Sequence, residues 1–171
     1  SNNTALGTSA LLANTTGSSN VAVGANALDA ATTGVSNTVA VGYNALTANT
    51  ASGSGTVPNV AVGHQSQAAT TTGTANASLG AWSLDANTTG ANNTGVGFNA
   101  LTSNTTASDN TGLGYNALAA NTTGTQNTAV GALTSGVSTT QSYNTAVGYG
   151  VLYQNTASNN TGVGHAALDA N

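Results

Sequence analysis

Few side chains in this sequence could transfer a proton or bind a metal ion. They comprise two histidines and four aspartates: His64, His165, Asp29, Asp85, Asp109 and Asp169. Nucleophilic catalysis requires a base positioned beside a nucleophile, and a calcium site requires several oxygen ligands around each ion. Acids and histidines that occur singly and far apart meet neither requirement. We therefore expect no enzymatic activity, no metal site and no cofactor.

The composition excludes several kinds of partner. The 171 residues include no lysine, arginine or cysteine, and the formal net charge is −4. Without cations, the chain cannot neutralise phosphates as nucleic-acid-binding proteins do, nor attach electrostatically to anionic lipids. No apolar run approaches the roughly 18 residues that span a bilayer, so we expect no membrane insertion. Ser1 begins in the middle of a repeat and no signal peptide precedes it, which indicates part of a longer fibrous protein.

The elements that would position any functional residue are set by an internal repeat. A motif of the type Asn-Thr-Ala-Val-Gly recurs along the chain, and its glycine gives the register. These repeat glycines are Gly7, Gly24, Gly42, Gly63, Gly80, Gly97, Gly114, Gly131, Gly148 and Gly164. Their spacing is most often 17 residues, so residues 1–171 are predicted to form one repeat domain of ten coils.

The columns of this repeat have distinct compositions. The residue before each repeat glycine is always Val or Leu, from Leu6 to Val163. The residue before that is always small, from Ala5 to Gly162, and the fourth residue after the glycine is usually Leu. The eighth residue after the glycine is always threonine, and we call this column the Thr ladder: Thr15, Thr32, Thr50, Thr71, Thr88, Thr105, Thr122, Thr139 and Thr156.

These columns predict an all-β protein, a parallel β-solenoid. A unit of 17 residues is too short for a helical-hairpin repeat, and the alternation of small and branched residues has the period of a strand. We expect each coil to contain a strand, a sharp turn, a second strand and a wider turn. Coils spaced about 4.8 Å apart would form a rod on the order of 50 Å long. The Val and Leu columns should fill the interior, and Ala51 to Pro58 should bulge as a loop.

The stacking of coils also accounts for the missing charges. In a solenoid each residue lies above its equivalent, and like charges directly opposed at about 5 Å destabilise a sheet. Columns of asparagine and threonine can instead form hydrogen-bonded ladders along the stack. We therefore expect such ladders here.

The motif "NTVAVG" at Asn37, with "NVAVG" and "NTAVG" elsewhere, resembles the head repeat of trimeric autotransporter adhesins of the YadA type. Similar repeats occur in bacteriophage tail fibres, some with the longer "ANTTG" turn found here. In that family a small residue follows the glycine by three positions, as do Ala10, Ala27, Ala45, Ser66, Ser83, Ala100, Ala117 and Ala167. The resemblance implies a left-handed β-roll, three chains side by side, and adhesion at a bacterial surface or on a phage virion.

We expect the chain to be a non-enzymatic extracellular rod, the shaft or head of an adhesin or tail fibre. The small column from Ala5 to Gly162 would allow close approach of the chains in a parallel homotrimer; alternatively, it fills a thin coil interior in a monomer. A second alternative is a filament subunit that stacks end to end.

Aromatic side chains close to the repeat glycines are the expected surface contacts with cell-surface glycans or proteins. They are Tyr43, Trp82, Phe98, Tyr115 and Tyr149, with His64 and His165 in the same column as four of them. The alternative is that these rings only pack at strand ends. A further alternative is that the Thr ladder binds ice, although the next column should face the opposite side if the segment is a strand.

Overall fold

A computed structural model of the chain describes residues 2–50, 58–136 and 138–169. It contains a single parallel sheet in which each strand pairs with the strand of the next coil, in the order β1 to β10. The strands are β1 (Thr4–Leu6), β2 (Val21–Val23), β3 (Val39–Val41), β4 (Val60–Val62), β5 (Ala77–Leu79), β6 (Thr94–Val96), β7 (Thr111–Leu113), β8 (Thr128–Val130), β9 (Thr145–Val147) and β10 (Thr161–Val163). The predicted parallel β-solenoid is confirmed.

The register of the strands follows the repeat columns. Thr94 pairs with Thr111 and Val96 with Leu113, so each residue lies over its equivalent one coil away. The loop predicted over Ala51 to Pro58 lies outside the described residues, except for Pro58. Val39 and Val60 pair directly on its two sides. The four added residues therefore leave the columns aligned.

The prediction of two strands in each coil is wrong, because each described coil contains one strand of three residues. The segment after the repeat glycine is a series of turns in which alternate residues are left-handed. In the third coil these are Asn44 and Leu46, with φ of 53° and 51°, values that no strand contains. Leucine in this conformation costs about 1–2 kcal/mol. Burial of the Leu46 side chain and its N–H bond to the carbonyl of Ser66 oppose that cost.

The repeat glycine is required by the close approach of neighbouring coils. Gly97 has a φ of +128°, and a Cβ atom placed there would lie 2.5 Å from the carbonyl oxygen of Gly114. Both the backbone conformation and the space therefore exclude a side chain. This explains why the position is glycine in every coil.

The interior of each coil is lined by the small column and by leucine. Ala22 and Ala40 are completely buried, as are Leu28 and Leu101. The small column therefore fills the coil interior, which is the alternative that the sequence left open, and it cannot be the surface where chains meet.

The expectation that the Val and Leu before each repeat glycine fill the interior is wrong. In a strand of three residues the middle side chain faces inward and its two neighbours face outward. Leu79 is accordingly 53% exposed, and a Cβ atom at inward-facing Gly95 would lie 2.5 Å from Ser83 Oγ, so the interior has no room for larger residues. We call the outward column the aliphatic ridge: Leu6, Val23, Val41, Val62, Leu79, Val96, Leu113, Val130, Val147 and Val163.

Two largely buried columns of asparagine hold the wide turn of each coil. The first column lies four residues before the repeat glycine and comprises Asn3, Asn20, Asn59, Asn76, Asn93, Asn110, Asn127, Asn144 and Asn160. The second lies seven residues after it and comprises Asn14, Asn49, Asn87, Asn104, Asn121 and Asn155. Amides from both columns donate to one turn carbonyl, since Asn93 Nδ2 and Asn104 Nδ2 lie 2.8 and 3.1 Å from the oxygen of Ala107.

The same columns bond along the stack. Asn93 Oδ1 accepts the backbone N–H of Asn110 at 3.0 Å, and Asn104 Oδ1 accepts the amide of Asn121 at 3.0 Å. The predicted asparagine ladder is confirmed.

Replacing an interior leucine should destabilise the solenoid far more than replacing an exposed one. Leu101→Ala leaves a cavity beside Gly112, and we expect a loss of about 2–5 kcal/mol in the free energy of unfolding. Leu12 is 73% exposed, so Leu12→Ala should cost less than about 1 kcal/mol. Chemical denaturation followed by circular dichroism measures both. Equal losses would contradict the assignment of the core.

Candidate functional site

Five ring side chains form a continuous contact chain along one edge of the rod, which we call the ring array. It runs from Tyr43 through His64, Trp82 and Phe98 to Tyr115. The ring centroids of successive members lie 5.3, 5.1, 5.1 and 5.9 Å apart. The first and last pairs are stacked, whereas Trp82 meets both neighbours edge to face, geometries that aromatic pairs favour.

The turn after each repeat glycine positions the array. Tyr43, His64, Phe98 and Tyr115 directly follow the glycine, whereas Trp82 stands one residue further on, where φ is 54°. The indole Nε1 of Trp82 donates to Gln65 Oε1 at 2.7 Å, which holds the ring in line with its neighbours. The structure thus brings together four of the five predicted contact residues.

The fifth predicted residue, Tyr149, is separated from the array because Ala132 occupies its position in the coil between. Tyr149 stacks instead on His165, with centroids 5.4 Å apart. Tyr43, Tyr115 and Tyr149 each remain about half exposed, while Trp82 is less so. Because the rings partly cover one another, the array presents ring edges along its length and a tyrosine hydroxyl group at each end.

The hydroxyl groups of the Thr ladder are fixed by the backbone. Thr88 Oγ1 donates to the carbonyl of Thr105 at 3.0 Å, and the backbone N–H of Thr88 donates to the same oxygen at 2.8 Å. Thr105 and Thr122 repeat the contact one coil further on. The predicted threonine ladder is confirmed as hydroxyl-to-carbonyl bonds rather than bonds between hydroxyl groups.

The expectation that the column after the Thr ladder faces the opposite side is wrong. Residues of this second column are exposed on the same turn as the ladder itself: Thr16, Thr33, Thr72, Thr89, Thr106, Thr123 and Thr140. The cause is that this segment is a bend and not a strand, so the alternation of a strand does not apply. Two neighbouring rows of threonine therefore line the wide turn.

The histidines and aspartates are distributed along the rod. His64 belongs to the ring array, His165 stacks on Tyr149, and Asp109 is exposed. Burial raises the pKa of Asp85 above its ordinary value, an effect that the nearby His64 partly offsets. Across residues 2–50, 58–136 and 138–169, no group of three or more histidine and acidic side chains is placed to hold a metal ion.

Two surface features were not predicted from the sequence, the aliphatic ridge and the second threonine row. The signal for the ridge was present, because a run of only three strand residues with a small central residue can face a narrow interior only through that residue. The signal for the second row was the "NTTG" sequence, which favours a turn.

The part of the chain that the structure describes contains no helix long and apolar enough to cross a membrane. The chain has no significant match to any protein-family model, to the curated proteins or to the solved structures with which it was compared. The chain is therefore described by its architecture, a parallel β-solenoid with coils of about 17 residues and stacked columns of asparagine.

Proposed function

We propose that this chain is a non-enzymatic segment of an extracellular fibre, the shaft or head of an adhesin or phage tail fibre. Parallel copies of the chain would assemble side by side and hold a binding surface away from the point of attachment. The observation that carries the proposal is the aliphatic ridge, which extends through all ten strands on the outer face of the sheet.

The ridge favours contact with another molecule because it is continuous and apolar. Leu6, Leu79, Leu113 and Val163 are each more than two-fifths exposed, and monomeric proteins rarely expose long contiguous apolar surfaces. A second copy of the same chain fits best, because its ridge has the same coil spacing along its whole length. The ridge carries no charge that would need a counter-ion, which also suits contact between identical surfaces.

Three copies around a common axis satisfy these conditions with closed symmetry. Each sheet would turn its ridge towards the axis, and the ring array and threonine rows would remain on the outside. The resemblance to the head repeat of trimeric adhesins supports three copies rather than two. In this arrangement the copies would meet at the aliphatic ridge, and not at the small column as the sequence had suggested.

Charged substitutions on the ridge should separate the copies without unfolding the coils. The native mass of the wild-type protein should be three times that of the 16.3 kDa chain. The double variant Leu113→Lys, Val147→Lys should be monomeric, because it would bury unpaired charges at the axis. Light scattering coupled to size exclusion measures the mass.

The matched control is Thr106→Lys, Thr140→Lys, which adds the same charge on the exposed threonine row and should remain trimeric. A monomeric wild-type protein would contradict the proposal, as would a ridge variant that stays trimeric. Species that lengthen with protein concentration would instead favour the end-to-end filament.

The ring array is the surface that we propose for contact with cell-surface glycans or proteins. Aromatic rings present apolar faces and edges with polar tips, a combination that is common at binding surfaces. Three parallel copies would display the array three times on one stiff body. Weak contacts would then gain avidity through effective concentration rather than through one deep pocket.

Removing rings from the array should weaken cell or glycan binding. For the triple variant Tyr43→Ala, Phe98→Ala, Tyr115→Ala we expect binding to fall at least about tenfold, because each lost contact recurs in every copy. Whole-cell binding and glycan arrays measure the change. Tyr143→Ala is the matched control, since Tyr143 is 58% exposed but lies outside the array. Unchanged binding by the triple variant would leave the rings with a packing role only.

The two threonine rows favour ice binding as a second candidate function. Thr89, Thr106 and Thr123 are exposed in successive coils beside the fixed hydroxyls of the Thr ladder. Rows with a regular spacing of about 4.8 Å could order water in a repeating pattern.

If this second function holds, the wild-type protein should show thermal hysteresis in freezing water. Thr106→Tyr should abolish most of it, because the ring interrupts the row. Gln126→Tyr is the control, since Tyr143 occupies the equivalent position in the next coil. A wild-type protein without hysteresis would exclude this function.

A further inference from the structure

A cavity of about 270 Å³ opens on the surface of the last three described coils. Its lining residues are Leu133, Tyr149, Gly150, Tyr153, Ala166 and Asp169. It lies outside the ring array, and neither the fold nor the proposed fibre function requires it.

The cavity exists because two glycines replace the residues that the repeat usually places there. Gly150 occupies the second position after the repeat glycine, a position that is asparagine in four other coils: Asn26, Asn44, Asn99 and Asn116. Gly150 has a φ of +61°, and a Cβ atom placed there would meet no atom within 4 Å. The missing side chain leaves the space between Leu133 and Ala166 empty.

The second glycine positions an aromatic wall. A Cβ atom at Gly136 would lie 2.5 Å from Cε2 of Tyr153, so a side chain at this position would collide with the ring where it stands. Tyr149 forms the opposite wall and is held by its stacking on His165. Two tyrosine rings thus line the cavity.

One carboxylate, that of Asp169, lines the cavity. Asp29, in the same column of the repeat, accepts the hydroxyl of Thr47 in the following coil at 2.6 Å. The lining of the cavity contains no basic side chain, and the sequence has no lysine or arginine that could pair with the carboxylate. The cavity is therefore acidic.

We propose that this cavity binds a small organic cation of the alkylammonium class. The rings of Tyr149 and Tyr153 would contact the cation through their faces, and Asp169 would supply the opposing charge. Aromatic rings beside a carboxylate are the combination that recognises alkylammonium groups. The volume lies just below the range of about 300–1,000 Å³ that is typical of drug-sized ligands, which suits a head group of a few atoms.

A sugar fits this lining less well than a cation does. Orienting a sugar requires several convergent hydrogen-bonding groups, whereas the polar side-chain groups in this lining are two tyrosine hydroxyls and one carboxylate.

Titration with choline tests the proposal on the full chain. Nuclear magnetic resonance shifts of the tyrosine ring protons, together with calorimetry, should show saturable binding with a dissociation constant in the millimolar range. The neutral analogue 3,3-dimethylbutanol has the same shape without the charge, and it should bind at least about tenfold more weakly.

Two variants test separately whether choline binding depends on the carboxylate charge and on the open space of the cavity. Asp169→Asn should weaken choline binding at least about tenfold. Gly150→Asn should abolish it, since asparagine tolerates a positive φ and restores the side chain that other coils have. Asp109→Asn removes the same charge from an exposed site and should change the affinity less than about twofold.

Circular dichroism should show that all three variants keep the fold. Absence of saturable choline binding would overturn the proposal, as would equal binding of the neutral analogue or unchanged affinity in Gly150→Asn.

Discussion

The double amide contact to one turn carbonyl, which recurs in several coils, is the interaction on which the rest of the solenoid depends. Asparagine side chains reach this oxygen from both sides of the coil interior, as at Ala107, and again at Gly90 and Gly124. Each amide oxygen of the first column is then available to the backbone of the following coil, as between Asn76 and Asn93. A change in the length of either turn would leave several buried polar groups without partners, at a cost of about 1–3 kcal/mol each. This penalty favours the period of 17 residues that most coils share.

The narrow coil that these contacts define also determines where apolar residues can lie. Because asparagine, leucine and the inward small residue fill the interior, the branched residues of the strand have no place except the outer face. The feature that makes each coil thin therefore also makes the outer face of the sheet apolar. In this way the internal packing and the proposed side-by-side assembly have one cause. An isolated chain would leave the aliphatic ridge exposed, and contact between copies would remove that surface from water.

Much of this architecture could be predicted from the sequence, and the parts that could not share one physical origin. Periodicity gives the stacking, the register and the ladders, because in-register coils must place equal residues over one another. Whether a side chain faces the interior or the surface of a coil depends on the backbone angles. The sequence from Asn44 to Leu46 gives no sign that the leucine has a left-handed conformation. That conformation replaces a strand by turns, and it decides which columns face inward. The ring array could be predicted from the column positions alone. The cavity beside Tyr153 could not, because it depends on the absence of side chains at Gly136 and Gly150.

The identical register at every coil boundary has a consequence for how such a protein changes over generations. Since Thr94 meets Thr111 in the same way that Thr111 meets Thr128, a coil can be inserted or deleted between existing ones without creating a new kind of boundary. Recombination between gene segments that each encode a whole coil would therefore yield foldable products. Each event would alter the reach of the molecule by one step of about 4.8 Å.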